Sequence, residues 1–380
     1  MTPDEAGVRA AVAGASRVVV KVGSSSLASA KGGLDVAALE ALTNVLATRR
    51  QQGQDIVLVT SGAIAAGCEP LGMARRPADL AQQQAAAAVG QGLLIARYTV
   101  AFARHGITVA QVLLTVSDMA RRASYANALR TFGALTRLGV TPIVNENDTV
   151  ATREIRFGDN DRLAALVAEL VRASALVLLS DVDALYTAHP DQVDARLVSF
   201  VPDAAGVTAD VSAPAASGVG SGGMASKIEA AAMAAAAGIP VVLTSRNQAA
   251  EALSGQPVGT AFAPAAKRRP RRLAWLADAS VAQGRLHIDE GAVAALTHTA
   301  ASLLAAGVTA VEGRFAAGDP VEVVAPGGRV VGRGLVGFSS TDLPSMCGRS
   351  SAQLVAQLGE RFGHEVIHRD DLVLVKKGRL

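Results

Sequence analysis

Cysteine is nearly absent from this chain of 380 residues: the two that occur, Cys68 and Cys347, lie far apart and form no CxxC pair. That spacing suggests neither a disulfide framework nor a zinc site, and it suits a reducing compartment. Aromatic residues make up only 3%, which leaves little to stack on bases and weighs against nucleic-acid binding as the main activity. None of the six histidines sits in a recognisable catalytic or metal motif. The opening stretch MTPDEAGVRA carries acids and lacks a long apolar core, against a secretory signal. The alanine-rich stretch from Ala230 to Leu243 is too short and too weakly apolar to cross a bilayer. The expectation is a cytoplasmic protein with no membrane segment.

Lysine is the most informative scarcity. Of 36 Lys and Arg residues only Lys21, Lys31, Lys227, Lys267, Lys376 and Lys377 are lysine. Lysine is a compact point charge that can sit on a phosphate oxygen, whereas arginine's planar fork demands more room. Lys21 ends a β-branched run and Lys227 closes a glycine-rich loop, the two places where a phosphate would want a point charge. The net charge of +3 is small, and the one basic run, KRRPRR at Lys267–Arg272, reads as a solvated linker or a backbone-binding patch.

What is present is a long chain with 50% hydrophobic residues, enough for two domains with real cores. VVVKV at Val18–Val22 reads as a buried parallel strand, in which a lysine is costly unless it reaches a partner at the strand's end. Helical patterns at Asp35–Arg50, Leu80–Ala103 and Ala120–Leu138 alternate with apolar strands at Ile56–Thr60, Thr108–Leu113, Thr141–Val144 and Ala175–Ser180. A last strand is expected at Pro240–Thr244. Such alternation predicts a three-layer α/β sandwich around a mostly parallel sheet. Composition shifts near Thr260, and the remainder is short and β-like, with a hairpin turning on Gly327 and Gly328. It forms a separate small domain.

Val140–Asp161 (VTPIVNENDTVATREIRFGDND) holds three of the six asparagines, Asn145, Asn147 and Asn160, beside Glu146, Asp148, Asp159 and Asp161. A strand leads into this cluster and a helical pattern starting at Asp161 or Arg162 leaves it, the position where α/β sheets bind ligands. Capping explains any one of these residues and explains the group poorly. Ser61-Gly62-Ala63 follows a strand and reads either as an ordinary strand-to-helix turn or as one that frees backbone N–H groups for an anion. In SGVGSGGMASK at Ser217–Lys227, four glycines precede a lysine that opens an alanine-rich helix, an arrangement suited to phosphate, with a flexible linker as the alternative. It is no Walker A loop, and its literal GxGxxG lacks the preceding strand and following acid of a dinucleotide site.

Phosphoryl transfer needs charge neutralisation and in-line positioning. Two lysines and Mg²⁺ could supply the first. A carboxylate acceptor, with a pKa of about 4.3, is ionised at neutral pH and needs no general base. Asp148 is the carboxylate expected to pair with an α-ammonium group.

VVVKVGSSSL, VTSGAIAAG, IVNEND at Ile143–Asp148, GDND at Gly158–Asp161 and GVGSGGMASK together resemble the amino acid kinase family, and the C-terminal region resembles a PUA domain. The resemblance implies an amino acid kinase domain over 1–262, a basic linker over 263–283, a PUA-like domain over 284–366 and a tail over 367–380. It implies that Lys21 contacts ATP phosphates, Lys227 stabilises the transferring phosphoryl group, and Asp161 orients both. Ser61, Asp148 and Asn160 would bind L-glutamate. Ser180, Asp181 and the loop Ser221, Gly222, Gly223, Met224, Ala225, Ser226, Lys227 would hold the nucleotide. Ser180, Ser221 and Ser226 stand where threonine is common in the family, which keeps the hydroxyl; Ala225, where serine is common, removes one possible hydrogen bond. The implied reaction is Mg²⁺-dependent phosphorylation of glutamate's side-chain carboxylate, the first step of proline synthesis. Proline as feedback inhibitor, a glutamyl phosphate reductase as pathway partner and a homo-oligomer are further implications. The alternatives are another acceptor, such as aspartate, acetylglutamate, carbamate or UMP, or RNA binding through the PUA-like domain.

Overall fold

The computed structural model describes residues 3–29, 33–120, 122–150, 159–188, 194–207, 223–265, 282–299 and 301–375. They divide into two compact units, residues 1–116 with 126–268, and residues 117–125 with 269–380. In chain order the first stretch runs α1 (Glu5–Ala13), β1 (Arg17–Val22), α2 (Val36–Gln51), β2 (Asp55–Val59), α3 (Ala63–Cys68), α4 (Leu80–Ala103) and β3 (Val109–Leu114). It continues α5 (Val116–Ala120), α6 (Arg122–Arg137), β4 (Thr141–Glu146), α7 (Asp159–Leu170), β5 (Ala175–Ser180), β6 (Leu185–Tyr186), β7 (Leu197–Val198) and β8 (Phe200–Val201). Then come α8 (Met224–Ala236), β9 (Val241–Ser245), α9 (Ala249–Leu253) and β10 (Thr260–Phe262).

Eight strands form one sheet in the order β3-β4-β2-β1-β5-β9-β10-β8, parallel except where β10 runs against β9. The mostly parallel sandwich expected from the strand–helix alternation is therefore present. β10 lies beyond the strand expected to be last; TAF is too short to show a period of its own and becomes a strand by pairing with β9 and β8. Helix α1 was also not anticipated. Asp4 caps it by accepting from the Gly7 N–H, and the buried Arg9 donates to the carbonyls of Val258 and Gly259 at the sheet edge.

The alternation of β1 decides which residues meet which layer. Val18, Val20 and Val22 belong to a core with Val8 and Val12 of α1, Leu39 and Leu42 of α2, Tyr98 of α4 and Leu253 of α9. Successive side chains point to opposite faces. Val19 and Lys21 therefore face the other layer, where α7 lies across β1 and α8 packs on α7.

Helices α3 and α4 cross at glycines. A Cβ on Gly67 would stand 1.9 Å from the Ala86 carbonyl oxygen, and one on Gly90 would stand 1.9 Å from that of Ala63. Helix α4 is, among the described residues, the one helix long and apolar enough by length and composition to cross a membrane, a feature the sequence reading did not single out. It buries Leu94, Tyr98 and Phe102 in the core of this unit.

The second unit contains β11 (Gly284–Ile288), α10 (Glu290–His298), β12 (Val308–Gly313), β13 (Pro320–Val324), β14 (Val330–Leu335), α11 (Ser351–Leu358) and β15 (Leu372–Leu374). Its five-stranded sheet, β12-β11-β13-β14-β15, is antiparallel except between β11 and β13, and has its own core around Leu286, Val321, Val323 and Ile367. The β13–β14 hairpin turns on Gly327 and Gly328, both at φ +85°, a conformation that glycine adopts without a Cβ penalty. Strand β15 falls in the stretch expected as a tail; LVL is too short to read as a strand and becomes one by pairing with β14.

Candidate active site

Parallel strands end together, and the chemistry collects at those ends. Register places Lys21 of β1 beside Val59 of β2 and Leu178 of β5. The loops after these strands carry Ser61 and Asp181, and the Gly23 N–H donates to the Leu179 carbonyl across the same edge. Strand β4 runs to Glu146, longer than the run to Val144 read from sequence, and so brings Asn145 to the same end. Its polar last residues hid the continuation.

Asp161 is the centre. It is 2% exposed, and its Oδ1 lies 2.5 Å from Lys21 Nζ while its Oδ2 lies 3.6 Å from Lys227 Nζ. The Ser226 hydroxyl donates to Asp161 Oδ2 at 2.9 Å and also reaches the Gly223 carbonyl. Lys21 and Lys227 are themselves buried. A buried ammonium without a partner is expensive, and one carboxylate serves both.

The charges are strained by this arrangement. Burial pushes the Lys21 ammonium below the usual lysine range; Asp161 opposes this and Lys227 adds to it. Burial alone would raise the Asp161 carboxyl, but Lys21, Lys227 and the hydrogen bonds outweigh it and hold the group below the ordinary carboxylate range. Asp161 is thus anionic at neutral pH.

Asn160, one residue earlier on α7, looks the other way. Its Nδ2 donates to Ser61 Oγ at 3.0 Å and to Asn145 Oδ1 at 3.2 Å. Asn145 Oδ1 also accepts from the Glu146 N–H at 2.9 Å, and Asn145 Nδ2 donates to Gln91 Oε1 at 2.7 Å. Consecutive helical residues diverge by about 100°, so the first turn of α7 serves two neighbouring polar clusters at once. That turn begins at Asp159, ahead of the start expected at Asp161 or Arg162. Asn160 Oδ1 is buried and receives no hydrogen bond among the described residues.

Asp148 lies just beyond β4, half-buried. Burial raises its carboxyl to about 6, with Arg76 pulling in the opposite direction. Among the described residues no hydrogen bond or ion pair joins Asp148 to Ser61 or Asn160. Ser180, 2% exposed, donates to Asp181 Oδ1 at 2.9 Å, and Asp181 acts electrostatically on Lys21.

Helix α8 opens at Met224 with Gly223 as its N-cap. Lys227 therefore sits at the end of the first turn instead of opening the helix, and points inward. Met224 is half-buried; Gly223 and Ala225 are exposed. Ser221 and Gly222, with the rest of the glycine loop, lie outside the described residues, as do Lys31, the KRRPRR run, Lys376 and Lys377. Gln91 and Arg76 are the neighbours the sequence reading missed. The signal at Gln91 was a glycine on either side of it inside an apolar helix, which implies a close approach.

A buried lysine pair thus shares one aspartate at the C-terminal ends of the parallel strands and in the first turn of α8, beside the Ser61, Asn145 and Asn160 cluster, and such a pair of cations is suited to an anionic group. Residues 16–245 match the amino acid kinase family, and residues 284–358 match the PUA domain. The chain belongs to the amino acid kinase family. It is 58% identical to glutamate 5-kinase from Cutibacterium acnes over 97% of this chain and 94% of that one. Against glutamate 5-kinase from Salinispora arenicola it is 57% identical, covering 97% of this chain and 100% of that one. Against that of Streptomyces coelicolor it is 57% identical, covering 97% and 99%. Within the family its place is among the glutamate 5-kinases.

Proposed function

We propose that this protein transfers the γ-phosphoryl group of ATP to the side-chain carboxylate of L-glutamate, giving ADP and L-glutamyl 5-phosphate. The observation that carries the proposal is Asp161 gripping Lys21 and Lys227, distant in sequence, at one end of the sheet. A carboxylate oxygen forms the new bond to phosphorus, the bond from that phosphorus to ADP breaks, and no proton moves. No general base is required, since the acceptor's pKa of about 4.3 leaves it ionised.

Lys21 would neutralise the nucleotide's phosphates and Lys227 the charge on the group in flight. Asp161 would fix both tips. Phosphoryl transfer depends on such positioning and charge stabilisation, and a nucleotide's anionic charge would favour the protonated form of Lys21. Ser180, Asp181 and the Gly223–Lys227 segment would hold the nucleotide. Ser61, Asn160 and Asp148 would hold glutamate, Asp148 facing the ammonium.

Mg²⁺ fits as the nucleotide's companion. Among the described residues no group of three or more His, Cys, Asp or Glu could hold a metal, and both oxygens of Asp161 face lysines. The ion would be held by phosphate oxygens and water, as Mg²⁺ commonly is, and would neutralise phosphate charge there.

The product is a mixed anhydride, labile in water, which supports handover to a glutamyl phosphate reductase in proline synthesis. Family membership supports proline as feedback inhibitor and a homo-oligomeric state. A cytoplasmic location fits ATP use and two free cysteines. The relatives do not favour the other acceptors or an RNA-binding role. The test is ADP release from ATP and Mg²⁺ with glutamate against aspartate: turnover confined to glutamate supports the proposal, and turnover on aspartate alone overturns it.

A further inference from the structure

Gln91 of α4 has no part in the roles above, yet it terminates a hydrogen-bond chain that reaches the acceptor pocket. We infer that Gln91 is a positioning residue, whose side-chain carbonyl holds the Asn145 amide in the orientation its anchor dictates, steadies Asn160 through it, and thereby leaves the Ser61 hydroxyl free to donate to bound glutamate. The inference rests on the glutamate kinase reading of the site.

The direction of every bond follows from one anchor. The Glu146 backbone N–H can only donate, so the Asn145 atom it meets at 2.9 Å is the oxygen. Asn145 Nδ2 is then on the opposite side and needs an acceptor, which Gln91 Oε1 supplies at 2.7 Å. Because Asn145 Oδ1 can only accept, the Asn160 atom 3.2 Å from it is the amide nitrogen. That same nitrogen donates to Ser61 Oγ at 3.0 Å. Ser61 thus accepts from the protein, and its own proton is left for a ligand oxygen. A hydroxyl aimed in this way suits a carboxylate.

The fold takes trouble to put Gln91 there. Its neighbour Gly90 lets α4 ride against the Ala63 carbonyl, where any side chain would collide at 1.9 Å. If Gln91 could not accept, Asn145 Nδ2 would be left without its partner. A flipped Asn145 would instead set its nitrogen against the Glu146 N–H and the Asn160 amide, donor against donor. Either outcome loosens the hold on Asn160 and Ser61.

The experiment compares Gln91→Met, which keeps volume and removes the acceptor, with Gln91→Glu, which keeps an acceptor toward Asn145. Gln91→Met is expected to raise the glutamate KM about tenfold or more, as expected for a disrupted, partly buried hydrogen bond, while the ATP KM stays near wild type and the melting temperature falls by only a few degrees. Gln91→Glu is expected to keep the glutamate KM within about threefold of wild type, since the acceptor survives. On a Ser61→Ala background Gln91→Met should add little, because the end of the chain is already gone. An unchanged glutamate KM in Gln91→Met, an equal rise in both variants, or full additivity with Ser61→Ala overturns the inference. If Gln91→Met does not fold, Gln91→Glu still decides: a raised glutamate KM overturns it. Wild type assayed alongside separates the two levels, because wild type inactive on glutamate sinks the functional reading, whereas active wild type with indifferent Gln91 variants sinks only the relay.

Discussion

Replacing Asp161 with asparagine removes the one anion between two buried ammonium groups and keeps nearly the same shape. Asp161 is 2% exposed, and its oxygens stand 2.5 Å from Lys21 Nζ and 3.6 Å from Lys227 Nζ. Removing one partner of a buried ion pair costs about 3–5 kcal/mol, because the remaining charge stays buried and unpaired. For a folding unit the size of the first one each kcal/mol shifts Tm by roughly 2–4 °C, so a drop on the order of 10 °C in that unit's transition is expected at neutral pH. The pH dependence gives a second check. Lys21 already has a folded-state pKa below its unfolded value, through burial, with Asp161 the leading influence holding it up. Without Asp161 it falls further. A lysine with a lowered folded pKa binds more protons in the unfolded state, so stability rises as pH climbs toward the unfolded value. The variant's deficit should therefore shrink between neutral and alkaline pH. Turnover should fall about 100-fold or more, since both cationic tips lose their registration. Denaturant titrations of variant and wild type across that pH range, with kcat at each pH, make the measurement. A variant as stable as wild type at neutral pH, or a deficit that widens with rising pH, would refute this account of the site.

Lys227→Ala should lower kcat by about 100–1000-fold, the range for removing one donor to transition-state charge, with the glutamate KM little changed; near-normal turnover in steady-state kinetics rules out its role. The Asp148 carboxyl, raised to about 6 by burial, gives a pH signature. If it pairs with the substrate ammonium, 1/KM for glutamate is full above that pH and falls by up to about tenfold per unit below it. Asp148→Asn should raise the KM and flatten this profile, and a wild-type profile already flat between pH 5 and 7 would show that another group binds the ammonium. Gly90→Ala should cost about 3 kcal/mol or more, as overpacking against backbone does; an unaltered denaturation midpoint would mean that α4 can shift away from Ala63.

Composition and local pattern carried much of this. VVVKV and ALVLLS are β-branched or aliphatic runs between helical periods, so parallel strands at their positions follow from residue type alone. The lysine inside the first run was conspicuous for the same reason. Burial of a charge demands a partner, and the polar cluster around Asp161 was where partners were dense. Short elements were not readable. TAF at β10 and LVL at β15 have too few residues to show a period, and they become strands by pairing with neighbours distant in the chain.

Amino-acid order alone thus settled the kinds of element, the α/β class and the membership of the polar cluster, because those depend on side-chain chemistry and spacing along the chain. Tertiary structure alone decided that β1's alternation turns Lys21 toward α7, that α8 brings Lys227 to the same carboxylate, and that Gly90 seats Gln91 against Asn145. Each of these is a meeting of atoms from separate elements. Such meetings are set by layer, crossing and register, which no local stretch of residues contains.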